Sequence, residues 1–135
     1  MQLNVADIIC GFVENALTLP FTIYADMIPE AETDGACIRH DPAPAAERRH
    51  LDGSRLLAWN LTFYIRCRKS DEARNYAKAI TDALDETTIH NGATDPDIDC
   101  MAATLPQFIG IDEKGFTTYS AAITCTYTQE AEKEI

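Results

Sequence analysis

The chain has 135 residues, 46% of them hydrophobic and 24% charged, with 22 acidic against 11 basic side chains and a formal net charge of −11. A chain of this length reads as one globular domain, 1–135, that hides roughly two-thirds of its extended surface in one core without disulfide or metal staples. Its negative excess repels phosphate backbones, and no basic run is long enough to reverse that locally, so broad nucleic-acid binding is excluded.

No stretch approaches the roughly 18 apolar residues of a membrane span. Residues 1–19 carry Asp7 and Glu14 inside their apolar pattern with no basic leader, so the expectation is a cytosolic, unprocessed protein with no membrane partner. Within that segment Val5, Ile8, Ile9, Phe12, Val13, Ala16 and Leu17 recur at helical spacing, which predicts an amphipathic helix ending before Pro20. Residues 21–28 (FTIYADMI) read as a strand closed by Pro29, and residues 36–40 as a short partner joined to it in a hairpin.

Residues 41–55 (DPAPAAERRHLDGSR) have no period and predict an extended surface loop, stiffened at its start by Pro42 and Pro44. Next comes a twelve-residue alternation: Leu57, Trp59, Leu61, Phe63, Ile65 and Cys67 on one face, Ala58, Asn60, Thr62, Tyr64, Arg66 and Arg68 on the other. This predicts a long strand with one buried and one wet face. Ser70 is placed to cap a second helix, with Asp71 and Glu72 in its first turn and Ala73, Tyr76, Ala77, Ile80, Ala83 and Leu84 as its apolar stripe.

A polar connection through Asn91, Gly92 and Pro96 leads to a strand pattern over residues 100–111, interrupted by Pro106, and DEKG at 112–115 supplies a turn. Residues 117–128 then pair back, with Tyr119, Ala121, Ile123, Cys125 and Tyr127 on one face, and residues 129–135 form an acidic tail. The predicted order α-β-β-β-α-β-β gives an α+β two-layer sandwich, a mainly antiparallel sheet of about five strands with both helices on one face. A right-handed crossover through the second helix sets the third and fourth strands parallel if they are neighbours.

The chain offers little to catalysis. His40, His50 and His90 are isolated, and there is no GxSxG, GxxxxGK[ST] or GxGxxG. Asp95, Asp97 and Asp99 lack the glycine and terminal glutamate of a calcium loop, and Ser54 beside Gly53 reads as a turn residue. No catalytic residue, metal site or cofactor is expected. The cysteines, Cys10, Cys37, Cys67, Cys100 and Cys125, form no CxxC pair and read as small buried apolar groups.

Interaction features are more informative. Arg48, Arg49, His50 and Arg55 cluster in the loop of an otherwise acidic chain, a candidate complementary patch. A second basic group, Arg66, Arg68 and Lys69, lies at the end of the long strand, and Thr118, Ser120, Thr124, Thr126 and Thr128 make a ladder on the last one. Long, regular strands in an open sheet have edges to blunt or to use, which favours self-assembly.

The order of elements, the arginine-bearing loop leading into LLAWNLTFYIRCR, the helix SDEARNYAKAITDALDE directly after it, and the closing pair ending in YSAAITCTYTQ resemble phage tail-terminator proteins. These are also classed as tail-completion or minor capsid proteins of tailed bacteriophages and prophages. The resemblance spans nearly the whole chain. It implies a virion component assembled in the host cytoplasm, a non-enzymatic subunit of a homo-hexameric ring at the head–tail interface that caps the tail tube and stops its growth. The implied partners are further copies of the chain, the tail-tube protein and the head-proximal neck connector, with DNA passing the lumen without specific binding. Loop position makes Arg48, Arg49, His50 and Arg55 the candidate contacts. Three alternatives stay open: a neck or head-completion protein of the same particle, a dimeric ligand-binding α+β domain, and a metal hydrolase built on the three aspartates.

Overall fold

A computed structural model of the chain describes residues 4–28, 34–42, 48–90, 92 and 96–129. The first helix, α1 (Val5–Ala16), begins where the Asn4 side chain accepts a hydrogen bond from the Asp7 backbone N–H at 3.3 Å, and its buried stripe is Val5, Ala6, Ile9 and Val13. Leu17 turns extended and ends it. The second helix, α2 (Ser70–Leu84), buries Ala73, Ala77, Ile80, Thr81 and Leu84. Two alanines one turn apart bring its backbone close to the sheet, and the buried Thr81 hydroxyl is satisfied by the Ala77 carbonyl at 2.9 Å. Ser70 is the first helical residue and not the cap; Lys69 holds that position and donates no side-chain cap bond.

Among the described residues the sheet has eight strands, not about five: β1 (Ile23–Ala25), β2 (Gly35–Asp41), β3 (Arg48–Arg49), β4 (Arg55–Cys67), β5 (Thr87–Ile89), β6 (Ile98–Ala102), β7 (Gln107–Ile111) and β8 (Thr117–Gln129). The order is β1-β2-β4-β8-β6-β5, with β3 beside β4 and β7 beside β8. Its spine is the antiparallel β4–β8 pair, in register from Arg55↔Gln129 to Cys67↔Thr117. The architecture is the expected α+β arrangement of two helices against a mainly antiparallel open sheet. Leu61, Phe63, Ile65, Ala121, Ile123 and Cys125 sit at its centre, each at most 1% exposed, in one core cluster with the buried stripes of both helices.

Three differences from the sequence reading have physical causes. β1 and β2 pair in parallel, not as a hairpin. Asp26 takes φ 67° and Met27 N–H bonds back to the Ala25 carbonyl, so the chain leaves the ladder after three residues at the Ala25 end, and β2 begins at the other end, beside Ile23. The stretch around residues 100–111 is two strands, both antiparallel to β8, because the chain leaves the ladder between Ala102 and Gln107. β5 follows α2 directly, through Glu86 at φ 53° and an Asp85 carboxylate that accepts the Ala102 N–H at 2.9 Å. β4 and β6 do run in the same direction, but β8 lies between them.

The outer face of β4 is drier than expected. Ala58 and Thr62 are buried, Asp41 accepts a hydrogen bond from the Thr62 hydroxyl, and Thr124 donates to the Asn60 side-chain oxygen at 3.1 Å. Gln129, expected in the tail, is the last residue of β8; residues 130–135 lie outside the described residues. Cys37, Cys67, Cys100 and Cys125 are buried thiols as expected, and Cys10 is half-buried.

One row across the sheet reads Ile23, Ala36, Ile65, Tyr119, Phe108. β1 and β7 are therefore opposite edges of one five-stranded level. Following the pairings across, they run antiparallel to each other.

Candidate functional site

The expected loop contacts fall on a hairpin. Arg48 pairs with Leu56 and Arg49 with Arg55, so the four candidate residues, Arg48, Arg49, His50 and Arg55, share one projecting structure whose preceding residues 43–47 lie outside those described. His50 N–H bonds to the Ser54 carbonyl and Gly53 N–H to the His50 carbonyl. Gly53 sits at φ 89°, where a Cβ is disfavoured. Asp52 Oδ1 accepts from both the Ser54 N–H at 2.9 Å and its hydroxyl at 2.6 Å, which holds the Asp52 carboxyl below its ordinary range. Ser54 is a turn-former, as the sequence indicates.

At the tip Leu51 is fully exposed, flanked by exposed Arg48, Arg49 and His50; Arg55 is half-buried and engaged at the base. Placing Arg49 opposite Arg55 sets like charges in one register position, which folding alone disfavours. The hairpin presents one apolar knob in a cationic collar on an acidic chain.

The second basic group is used within the fold. The Arg66 and Arg68 guanidinium carbons lie 5.1 and 4.7 Å from the Phe116 ring centroid, and Arg39 lies 5.4 Å from that of Tyr64. These contacts cover the outer face of the sheet near the start of α2, with the Arg68 N–H held by the Asp34 carboxylate at 2.9 Å.

Sequence reasoning missed a further surface, the β7 edge. Leu105, just before β7, and Phe108, Ile109 and Ile111 within it are each more than half exposed, and among the described residues β7 is hydrogen-bonded to β8 alone. Ile109 is the extra residue of a bulge between Phe108 and Gly110. The signal was the run QFIGI itself, apolar at consecutive positions rather than alternate ones, which no single buried face explains. On the opposite edge Tyr24 and Met27 are also exposed.

The remaining candidates do not converge. His40 stacks edge-on against Trp59 at 5.5 Å, His90 Nδ1 lies 3.1 Å from an Asp97 oxygen, and Asp99 accepts from the Thr88 hydroxyl at 2.7 Å. Asp95 lies outside the described residues, and among those described no three metal-ligating side chains gather. A recess of about 480 Å³ between α1 and the β1–β2 strands carries Asp7, Glu14, Asp26 and His40 on its walls, with Asp7 already engaged by Asn4. The described surface thus offers two features shaped for contact, a cationic hairpin and an apolar sheet edge.

No curated protein sequence matches the chain. The family described as "Bacteriophage tail terminator protein" matches it over residues 12–129, from within α1 to the last residue of β8. That span takes in the end of α1, the hairpin, the whole of α2 and both sheet edges, and the chain accordingly belongs to the bacteriophage tail terminator protein family.

Proposed function

We propose that the protein acts as a structural subunit of a six-membered ring that seats on the last ring of the tail tube, stops tube growth and presents a surface to the head-proximal connector. Family membership supports the terminator role in general; the finer reading rests on the two contact features. The observation that carries it is the pairing of exposed apolar edges at one level of one sheet, Phe108, Ile109 and Ile111 on β7 with Leu105 just before it, against Tyr24 on β1 and Met27 just after it.

Placing a second copy beside the first sets β7 of one against β1 of the next with opposed strand directions, a head-to-tail contact that closes into a ring when the rotation permits. The bulge at Ile109 and the missing N–H of Pro106 blunt the ladder, so side-chain packing carries this contact and an endless shared sheet is disfavoured. The Arg48–Arg49 hairpin then stands clear of the subunit contact and reaches a neighbouring ring of the tube or connector, where Leu51 is buried and the arginines meet acidic groups.

The net charge of −11 suits a lumen through which DNA passes, because like charge shortens the residence of phosphates on the wall. No step of this function needs a cofactor or a catalytic residue. Termination itself follows from asymmetry: one face of the ring matches the tube, and the other lacks the tube's own growth surface.

The test is electron microscopy of tubes polymerised from the cognate tail-tube protein. With the protein present we expect one ring at one tube end and arrested elongation; bare tubes that keep growing contradict the proposal.

A further inference from the structure

Cys100 on β6 and Cys125 on β8 stand directly opposite each other in the ladder, with their sulfurs 3.7 Å apart and neither residue more than 2% exposed. The type of this pair can be read from its neighbours. Ala103 N–H bonds to the Ala122 carbonyl at 2.9 Å, in line with the same register, so Ala103/Ala122 is a hydrogen-bonded pair. Bonded and non-bonded pairs alternate along an antiparallel ladder. Counting back, Met101/Thr124 is bonded and Cys100/Cys125 is not.

Non-bonded pairs hold their Cα atoms about 4.5 Å apart, inside the range of about 4.4–6.8 Å that a disulfide spans. Closing the bond needs side-chain rotation and no shift of register. The other cysteines have no such partner: Cys37 faces Tyr64, Cys67 faces Thr117, and Cys10 lies on α1.

We infer that Cys100 and Cys125 are a dithiol site that a small disulfide, such as oxidised glutathione, converts to a cross-strand disulfide in the folded protein. One thiolate attacks the small disulfide, forming a mixed disulfide and releasing one glutathione thiol. The second thiolate attacks the protein sulfur of that mixed disulfide and releases the other glutathione. Two S–H bonds are lost, one S–S bond forms, and the oxidant leaves as two thiols.

The two sulfurs share a hydrogen bond, which holds Cys100 below the ordinary thiol range and Cys125 above it. Cys100, on β6 and so nearer the sheet margin than Cys125 on β8, is the first nucleophile. Access comes from the sheet margin, where among the described residues the three-residue β5 is the one strand beyond β6, the kind of edge that opens locally without global unfolding. The bond ties together the two ends of the segment carrying the exposed β7 edge, residues 100 and 125. This inference stands independently of the ring.

The experiment incubates the full, folded chain with oxidised glutathione, then denatures it, counts free thiols and maps peptides without reduction. The count is expected to fall from five to three, with the cross-link mapping to Cys100 and Cys125, reversing with dithiothreitol and raising the thermal midpoint of the oxidised form. Cys100→Ala and Cys125→Ala, each folded by circular dichroism, are expected to keep four thiols and form no intrachain cross-link. Five thiols retained under conditions that oxidise a control dithiol peptide, or a cross-link to Cys10, Cys37 or Cys67, overturns the inference.

Discussion

Phe108 of β7 meets Tyr119 of β8 edge-on, with ring centroids 5.7 Å apart, while more than half of the Phe108 surface faces outward. One ring edge thus anchors β7 to the sheet, and the remainder of the strand's apolar surface is left for another molecule. Replacing Ile109 and Ile111 together by Lys removes that surface without touching the Phe108–Tyr119 contact. We expect the double variant to keep its circular dichroism spectrum, with stability changed by no more than about 0.5 kcal/mol per exposed site, while losing self-association in light scattering. An unchanged oligomer would remove the β7 edge from the subunit contact.

Core and margin of the long β4 strand differ in cost. Phe63 is fully buried between α2 and the sheet's centre, so Phe63→Ala is expected to cost about 3–5 kcal/mol in denaturant unfolding. Trp59, on the same face but half-buried near His40, is expected to lose less on Trp59→Ala, about 2 kcal/mol. Equal losses at both sites would contradict the packing described.

Charge reversal tests the hairpin. Arg48→Glu with Arg49→Glu leaves the β3–β4 turn intact, because its hydrogen bonds come from His50, Asp52, Gly53 and Ser54. The fold should survive and docking to the tube or connector should weaken, read as loss of ring-decorated tubes. Normal decoration would take the arginines out of the contact.

The Asp52 carboxyl also has a sign to check. Its folded value is depressed by the two Ser54 hydrogen bonds, so its help to the turn is present above the ordinary carboxylate value and lost as pH falls through the lowered one. An NMR titration should find its midpoint below the ordinary carboxylate value, and Ser54→Ala should raise it. A midpoint unmoved by Ser54→Ala would show the turn is held otherwise.

Much of the fold was legible because β4, β8 and the two helices carry long, unbroken periods, as in Leu57 to Cys67 and Ala73 to Leu84. The short strands were not. β1, β3 and β5 have two or three residues each, too few for a period, and they form because long neighbours offer free ladder positions. The parallel β1–β2 pairing turns on Asp26 adopting a left-handed conformation, which its residue type permits but does not demand. The hairpin arginines were legible as a cluster because their positive charge stands against an acidic background. The β7 edge was hidden because Phe108, Ile109 and Ile111 look like core until the sheet shows that no element among the described residues covers them.

The most direct test of the terminator reading is the solution mass of the purified protein by light scattering across a concentration series, with and without tail-tube protein. We expect a hexamer, or a monomer that assembles into a ring only on the tube. A stable dimer indifferent to tube protein would contradict it.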